Sequence, residues 1–118
     1  MTPEKLLKLW DECELEISPN SRILDFGCGA GNTVNYLRSK GLNCHGCDLT
    51  FKSGIYLNHL PQGGYVKQIS RDPYRLPYKD QQFDFIFSDQ VFEHVMDYDS
   101  ALSEIARVLK NGGVCFHA

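Results

Sequence analysis

The stretch Ile23-Leu24-Asp25-Phe26-Gly27-Cys28-Gly29-Ala30-Gly31 decides the fold of this 118-residue chain. Its first four residues make a short, mostly apolar run of the kind a buried strand supplies, and the glycines that follow force a flexible loop. Asn32 to Lys40 then carries Val34 and Leu37 on one helical face, and Gly41 stands where a helix terminator belongs. A strand, a glycine loop and a helix in direct succession begin a βαβ unit.

Toward the amino terminus, Thr2-Pro3-Glu4 reads as an N-cap, a proline at the first helical position and a first-turn acid. Leu6, Leu9, Trp10 and Cys13 continue it as an amphipathic helix that stops at Ser18-Pro19-Asn20-Ser21. In the other direction, Leu42 to Asp48 alternates and predicts a second strand, and Lys52 to Leu60 has room for a helical turn or two before Pro61-Gln62-Gly63-Gly64. Tyr65 to Ile69 predicts a third strand. Asp72-Pro73-Tyr74-Arg75-Leu76-Pro77, with two prolines in six residues, predicts a loop. Phe83-Asp84-Phe85-Ile86-Phe87 has the nearly continuous apolar character of a central strand covered on both faces. Ser100 to Lys110 places Leu102, Ile105, Ala106 and Leu109 at helical spacing and ends at Asn111-Gly112-Gly113, after which Val114 to His117 predicts a fifth strand. This alternation implies an α/β fold, a Rossmann-like doubly wound parallel sheet with helices on both faces. One domain over residues 1–118 is expected, an N-terminal helix within 1–20 and a core over 21–118.

Composition narrows the function. The chain is 42% apolar and 23% charged, as ordered globular chains are. Twelve Lys and Arg against 15 Asp and Glu give a net charge of −3, without the basic excess that phosphate-backbone binding uses, so nucleic acid is not an expected partner. Mean hydropathy is −0.32, and no apolar run approaches the roughly 20 residues of a membrane span. The first ten residues lack a signal-peptide layout, and an odd count of five cysteines is no secreted disulfide framework, so a cytoplasmic location is expected. Cys44-His45-Gly46-Cys47 has C-x-x-C spacing, but a structural zinc would want a second ligand pair, and the chain offers only scattered His59, His94 and His117. No metal is expected, and the two cysteines read as small apolar residues of a buried strand.

In an open parallel sheet, ligands bind beyond the carboxyl ends of the strands, near the point where strand order reverses. The polar groups at those ends are Asp25 with the glycine loop, Asp48, Asp72, and Ser88-Asp89-Gln90. Each alone fits a tight turn or a helix cap; all four at matching positions indicate a site. A dinucleotide loop wants G-x-G-x-x-G, but here Gly27, Gly29 and Gly31 are followed by Asn32, and no P-loop Gly-Lys-Ser/Thr is present. Glycines still permit a backbone to press against a nucleoside whose tail carries no phosphate. Asp48 would then accept hydrogen bonds from both ribose hydroxyls.

The segments Ile23 to Gly31, Gly46-Cys47-Asp48-Leu49, Arg71 to Tyr78, Phe83 to Ser88, Val91-Phe92-Glu93-His94-Val95, Glu104 to Lys110 and Gly112-Gly113 together resemble the class I S-adenosylmethionine-dependent methyltransferases. The branch resembled is the small-molecule, methyltransferase type 11-like one, in register over roughly residues 20 to 118. The resemblance implies that Gly27, Cys28 and Gly29 bring backbone against S-adenosylmethionine and that Asp25 lies beneath its methionine portion. It implies that Asp48 holds the ribose hydroxyls, Leu49 packs on the adenine and Asp72 accepts from the adenine amino group. Ser88, with Gln90, would line the methionine end. One residue departs from the pattern: the position after the adenine-binding acid often offers a backbone N–H to the ring, and Pro73 has none. Glu93 and His94 follow the fourth strand, but an apolar face of Val91, Phe92 and Val95 accounts for that segment, and no catalytic residue is named.

The family's sheet has seven strands, of which five are expected here, with the final strands absent. The chain is accordingly expected to be the cofactor-binding part of a methyltransferase acting on a small-molecule acceptor, releasing S-adenosylhomocysteine. Its fifth strand would leave an unpaired edge open to self-association or a partner. The alternative is a non-catalytic module of the same fold that works through a partner. A dinucleotide-dependent oxidoreductase is disfavoured by the glycine spacing.

Overall fold

In the computed structural model the described residues are 1–49, 64–89, 91, 95 and 97–118. Their elements run α1 (Pro3–Glu12), β1 (Arg22–Phe26), α2 (Asn32–Ser39), β2 (Asn43–Asp48), β3 (Val66–Gln68), β4 (Ser70–Arg71), β5 (Tyr74–Arg75), β6 (Phe83–Ser88), α3 (Tyr98–Val108) and β7 (Leu109–His117). Five strands form one sheet in the order β3-β2-β1-β6-β7, and every pairing in it is parallel. From β1 the chain steps outward to β2 and β3, then returns to the other side of β1 as β6 and β7. Strand order therefore reverses between β1 and β6. The expected Rossmann-like α/β architecture is what the chain adopts. The segment Lys52 to Leu60, together with Gln90, Glu93 and His94, lies outside the described residues.

Alternation along the strands builds two apolar layers. Ile23, Cys44, Phe85 and Phe87 pack against Leu6 and Trp10 of α1 and Val34 and Leu37 of α2. Leu24, Phe26, Cys47 and Ile86 pack on the opposite face with Ala101, Ile105 and Val108 of α3. Helices thus cover both faces. Trp10 sits edge-on to Phe85 and Phe87, with ring centroids 5.0 and 5.3 Å apart. Cys44 and Cys47 are both fully buried, but three residues apart on a strand they fall on opposite faces. The C-x-x-C spacing therefore does not bring two thiols to one point.

Capping follows the local sequence. The Thr2 side chain accepts from the Lys5 N–H and Pro3 opens α1, while Gly31, at φ +84°, caps α2. Gly41, at φ +84°, ends that helix as its spacing predicts. Four local readings differ from the structure. Cys13 is the exposed C-cap of α1 rather than part of its apolar face. The buried stripe of α3 is Ala101, Ile105 and Val108, with Leu102 half exposed, so the helix is turned by one residue from the apolar pattern. Asp72 to Pro77 is not all loop: Ser70 pairs with Arg75 and Arg71 with Tyr74, antiparallel. Pro73 is tolerated because it lies in the turn between those pairs, where no ladder N–H is needed. Finally, β7 begins at Leu109 rather than Val114, and its pairing with β6 shifts register between Phe83 and Phe85.

The end of the sheet away from the site is clamped by charge. Asp84 accepts from the Arg22 N–H at 2.7 Å and binds its guanidinium and the Lys110 ammonium, each at 3.1 Å. These bonds hold its carboxyl well below the usual carboxylate range. Arg107 on α3 reaches the carbonyls of Leu76 and Tyr78 at 3.0 and 2.9 Å and pairs with Glu104 and Asp80. One side chain thereby fixes the return from the β4–β5 hairpin to β6.

Candidate functional site

The glycine loop leaves β1 at the reversal point and is pinned from below by β2. The N–H groups of Gly27 and Cys28 both donate to the Cys47 carbonyl, at 2.7 and 3.0 Å. Asp48 at the end of β2 completes the anchor: its Oδ2 accepts from the Gly29 N–H at 2.9 Å and its Oδ1 from the Leu49 N–H at 2.7 Å. Each carboxylate oxygen keeps a further lone pair for another donor.

The glycines have separate reasons. Gly27 has φ +80°, and a Cβ there would meet Val91 Cγ2 at 2.5 Å, so packing forbids a side chain. Gly29 has φ +57°, and no described residue comes within 4 Å of the place a Cβ would take. Among the described residues that side of the loop is open, which is what close approach of a ligand requires. Gly46 on β2 supports the loop from beneath, because a Cβ there would stand 2.7 Å from Cys28 Sγ and from Val34 Cγ2. The predicted importance of the loop thus extends to a glycine the loop motif does not contain.

Beside the loop lies a cleft of about 180 Å³, lined by Asp25, Gly27, Cys28, Ser88, Asp89 and Phe116 together with the start of α1. Asp25 is buried, and its carboxyl is pushed up to about 8 by that burial and by the neighbouring negative charges of Asp48 and Asp89. A buried carboxyl in this state gains most from a cation placed beside it. Asp89 accepts from the Met1 amino group at 2.7 Å at the cleft's rim. The Cys28 thiol is raised far above its ordinary value, chiefly by burial, and is a packing group rather than a nucleophile. Ser88 is buried and hydrogen-bonded to His117 Nδ1 on β7, and burial lowers the His117 pKa.

The structure brings Asp25, Gly27, Cys28 and Ser88 into this cleft. It joins Asp48 and Leu49 to it through the loop, with Leu49 partly buried against the α3-side core. Asp72 stands apart, on the exposed two-residue turn of the β4–β5 hairpin. Tyr78 is a core residue whose hydroxyl donates to the Gly46 carbonyl at 2.9 Å. The position of His117 opposite Ser88 has only one sequence signal, its place at the end of the last strand.

A parallel sheet with its order reversing beside a glycine loop, flanked by acids at two strand ends, defines an α/β protein of the doubly wound class, in which ligand sites lie at such a reversal. Residues 24–117 match the family model described as methyltransferase domain. The chain belongs to that family of S-adenosylmethionine-dependent methyltransferases. It is 32% identical over 103 residues to an uncharacterized methyltransferase of Synechocystis, covering 85% of this chain and 47% of that protein. It is 30% identical over 101 residues to the demethylmenaquinone methyltransferase of Corynebacterium urealyticum, covering 84% of this chain and 41% of that protein. Among solved structures, the Haemonchus contortus phosphoethanolamine N-methyltransferase 2 in complex with S-adenosyl-L-methionine superposes with a TM-score of 0.72 at 28% identity, over 96% of this chain and 26% of that one. The chain spans less than half the length of each. Among the described residues no helix is long and apolar enough to cross a membrane.

Proposed function

We propose that this chain is a single cofactor-binding domain, an N-terminal segment 1–20 carrying α1 and a core 21–118, of a cytoplasmic enzyme that transfers a methyl group from S-adenosylmethionine to a small-molecule acceptor. The observation that carries the reading is the pairing of the buried, cation-seeking Asp25 with Asp48 across a loop that is open at Gly29 among the described residues. The residues suit the cofactor's chemistry. Asp25 meets the positive charge of its methionine portion, and the free lone pairs of Asp48 accept the ribose hydroxyls. Gly27, Cys28 and Gly29 supply close backbone, Leu49 packs on the adenine and Ser88 lines the methionine end, while the adenine reaches out of the cleft toward the exposed β4–β5 turn, where Asp72 accepts from its amino group.

S-adenosylmethionine, when bound, supplies an already activated methyl group. The protein's part is to hold it at the strand ends, exclude water and leave an acceptor atom a line of approach of about 3–3.5 Å. The demethylmenaquinone methyltransferase relative supports an acceptor of small-molecule size. The outer edge of β7, which pairs only with β6 among the described residues, is where a further strand from a partner or a second copy would add.

Calorimetric titration with S-adenosylhomocysteine, beside an Asp48→Ala variant, tests the reading. Two lost hydrogen bonds to a charged acceptor cost about 3 kcal/mol, more than a hundredfold in affinity. Micromolar binding by the parent and none by the folded variant is expected. Equal binding by both would remove Asp48 from the ribose site, and no binding by the folded parent would leave the non-catalytic, partner-dependent alternative.

A further inference from the structure

The sequence from Lys67 to Lys79 carries four cations at four-residue intervals, Lys67, Arg71, Arg75 and Lys79, in a chain whose net charge is −3. Folding brings three of them together. Lys67 of β3, Arg75 of β5 and Lys79 line a groove of about 510 Å³ with Ser70, Tyr78 and Gln82 among its other walls, and among the described residues no acid lines it. It shares no lining residue with the Asp25 cleft.

These cations have no carboxylate partner among the described residues, where the ion pairs engage Arg22 and Lys110 with Asp84, Arg107 with Glu104 and Asp80, Lys8 with Glu12, and the Met1 amino group with Asp89. Glu104 is near enough to Arg75 to feel its charge. Its oxygens, however, already accept from Arg107 and from the Leu76 N–H. The neutral groups reinforce the bias. Gln82 spends its oxygen on the Lys79 N–H at 2.9 Å, which leaves its amide donors over, and Ser70 adds a hydroxyl. Tyr78 uses its own hydroxyl on Gly46 and offers its ring, 5.6 Å from Lys67 Nζ.

A concavity that among the described residues has three unpaired cations, spare donors and no acid is complementary to an anion with several oxygens. We propose that this groove binds a small phosphate-bearing molecule carrying at least two negative charges. Its volume falls within the roughly 300–1,000 Å³ of small-ligand sites. One exposed cation gains little from one anionic charge, whereas a compact dianion engages three cations together. The net negative charge of the rest of the chain opposes a long polyanion or an anionic bilayer but acts little on a compact one.

The test is an amide NMR titration with sodium pyrophosphate, with sodium chloride adjusted to hold ionic strength constant. Saturable shifts centred on residues 67–70, 75–79 and 82 are expected. A Lys67→Ala/Lys79→Ala double variant, whose side chains are exposed, should bind at least tenfold more weakly with an otherwise unchanged spectrum. A Lys5→Ala/Lys40→Ala control should bind like the parent. Absence of saturable binding, or equal weakening in both double variants, overturns the proposal. So does saturation at these residues by a single-stranded oligonucleotide or phosphatidylserine vesicles where pyrophosphate gives none. The experiment uses no S-adenosyl ligand, so its result is independent of the proposed methyltransfer.

Discussion

Replacing Asp25 by Asn tests the electrostatic state of the cleft directly. Burial first, then the charges of Asp48 and Asp89, raise the Asp25 carboxyl from 3.8 to about 8. At about 1.4 kcal/mol per pH unit, holding that proton so far above the ordinary value corresponds to ~6 kcal/mol against the ionised form. In the unfolded chain Asp25 loses its proton near pH 4, whereas in the folded chain it keeps it to about pH 8. Between those limits the folded state binds more protons, so its stability falls as pH rises, by about 1.4 kcal/mol per unit. His45 and His117, whose pKa values burial lowers, act in the opposite direction, adding stability as pH rises toward 6.5. Subtracting the variant's profile from the parent's removes their contribution. Urea unfolding at pH 5, 6 and 7 should show the parent losing ~3 kcal/mol relative to Asp25→Asn across the two units. Parallel profiles would refute the buried, protonated carboxyl. A cofactor cation beside Asp25 would favour ionisation, so parent affinity for S-adenosylhomocysteine should rise between pH 6 and 8, by up to about tenfold per unit, and stay flat in the variant. A stability slope without that affinity slope would place the ligand's ammonium elsewhere.

Two further predictions concern the scaffold. Gly46→Ala places a methyl 2.7 Å from Cys28 Sγ and Val34 Cγ2, and should cost about 1–3 kcal/mol by urea unfolding; adding Cys28→Ala should return part of that loss, and an unchanged double variant would mean that the loop does not press on β2. Arg107→Ala leaves the Leu76 and Tyr78 carbonyls without their guanidinium donors and Glu104 without its partner. A loss of about 2–4 kcal/mol is expected by denaturation, whereas Arg107→Lys, with a single ammonium for several acceptors, should recover less than half of it.

The glycine loop, Asp25, Asp48 and the βα order were legible in the sequence because short-range signals carry them: apolar runs, caps at Thr2 and Gly41, and glycines where φ turns positive. The misreadings share a cause too. Cys13 and Leu102 are apolar residues at helical spacing, and spacing alone does not say which face meets the sheet. The β4–β5 hairpin was hidden because Pro73 breaks a ladder but not a turn. The relation of Gly46 to Cys28, and of Ser88 to His117, joins residues far apart in the chain, and no local pattern announces them.

By itself the sequence determined the type of protein: which segments become strands or helices, that they alternate, and that acids stand at strand ends beside a glycine-rich turn. Backbone propensity and hydrophobic period act over a few residues, and they suffice for that. Only the tertiary structure decided that β6 returns beside β1, so that Asp25 is buried between Asp48 and Asp89 with its proton held to about pH 8. Only it separated Cys44 from Cys47 across the sheet and gathered Lys67, Arg75 and Lys79 around one groove. Desolvation and Coulomb interaction depend on distance and burial in space, and the chain acquires those only when the strands have paired.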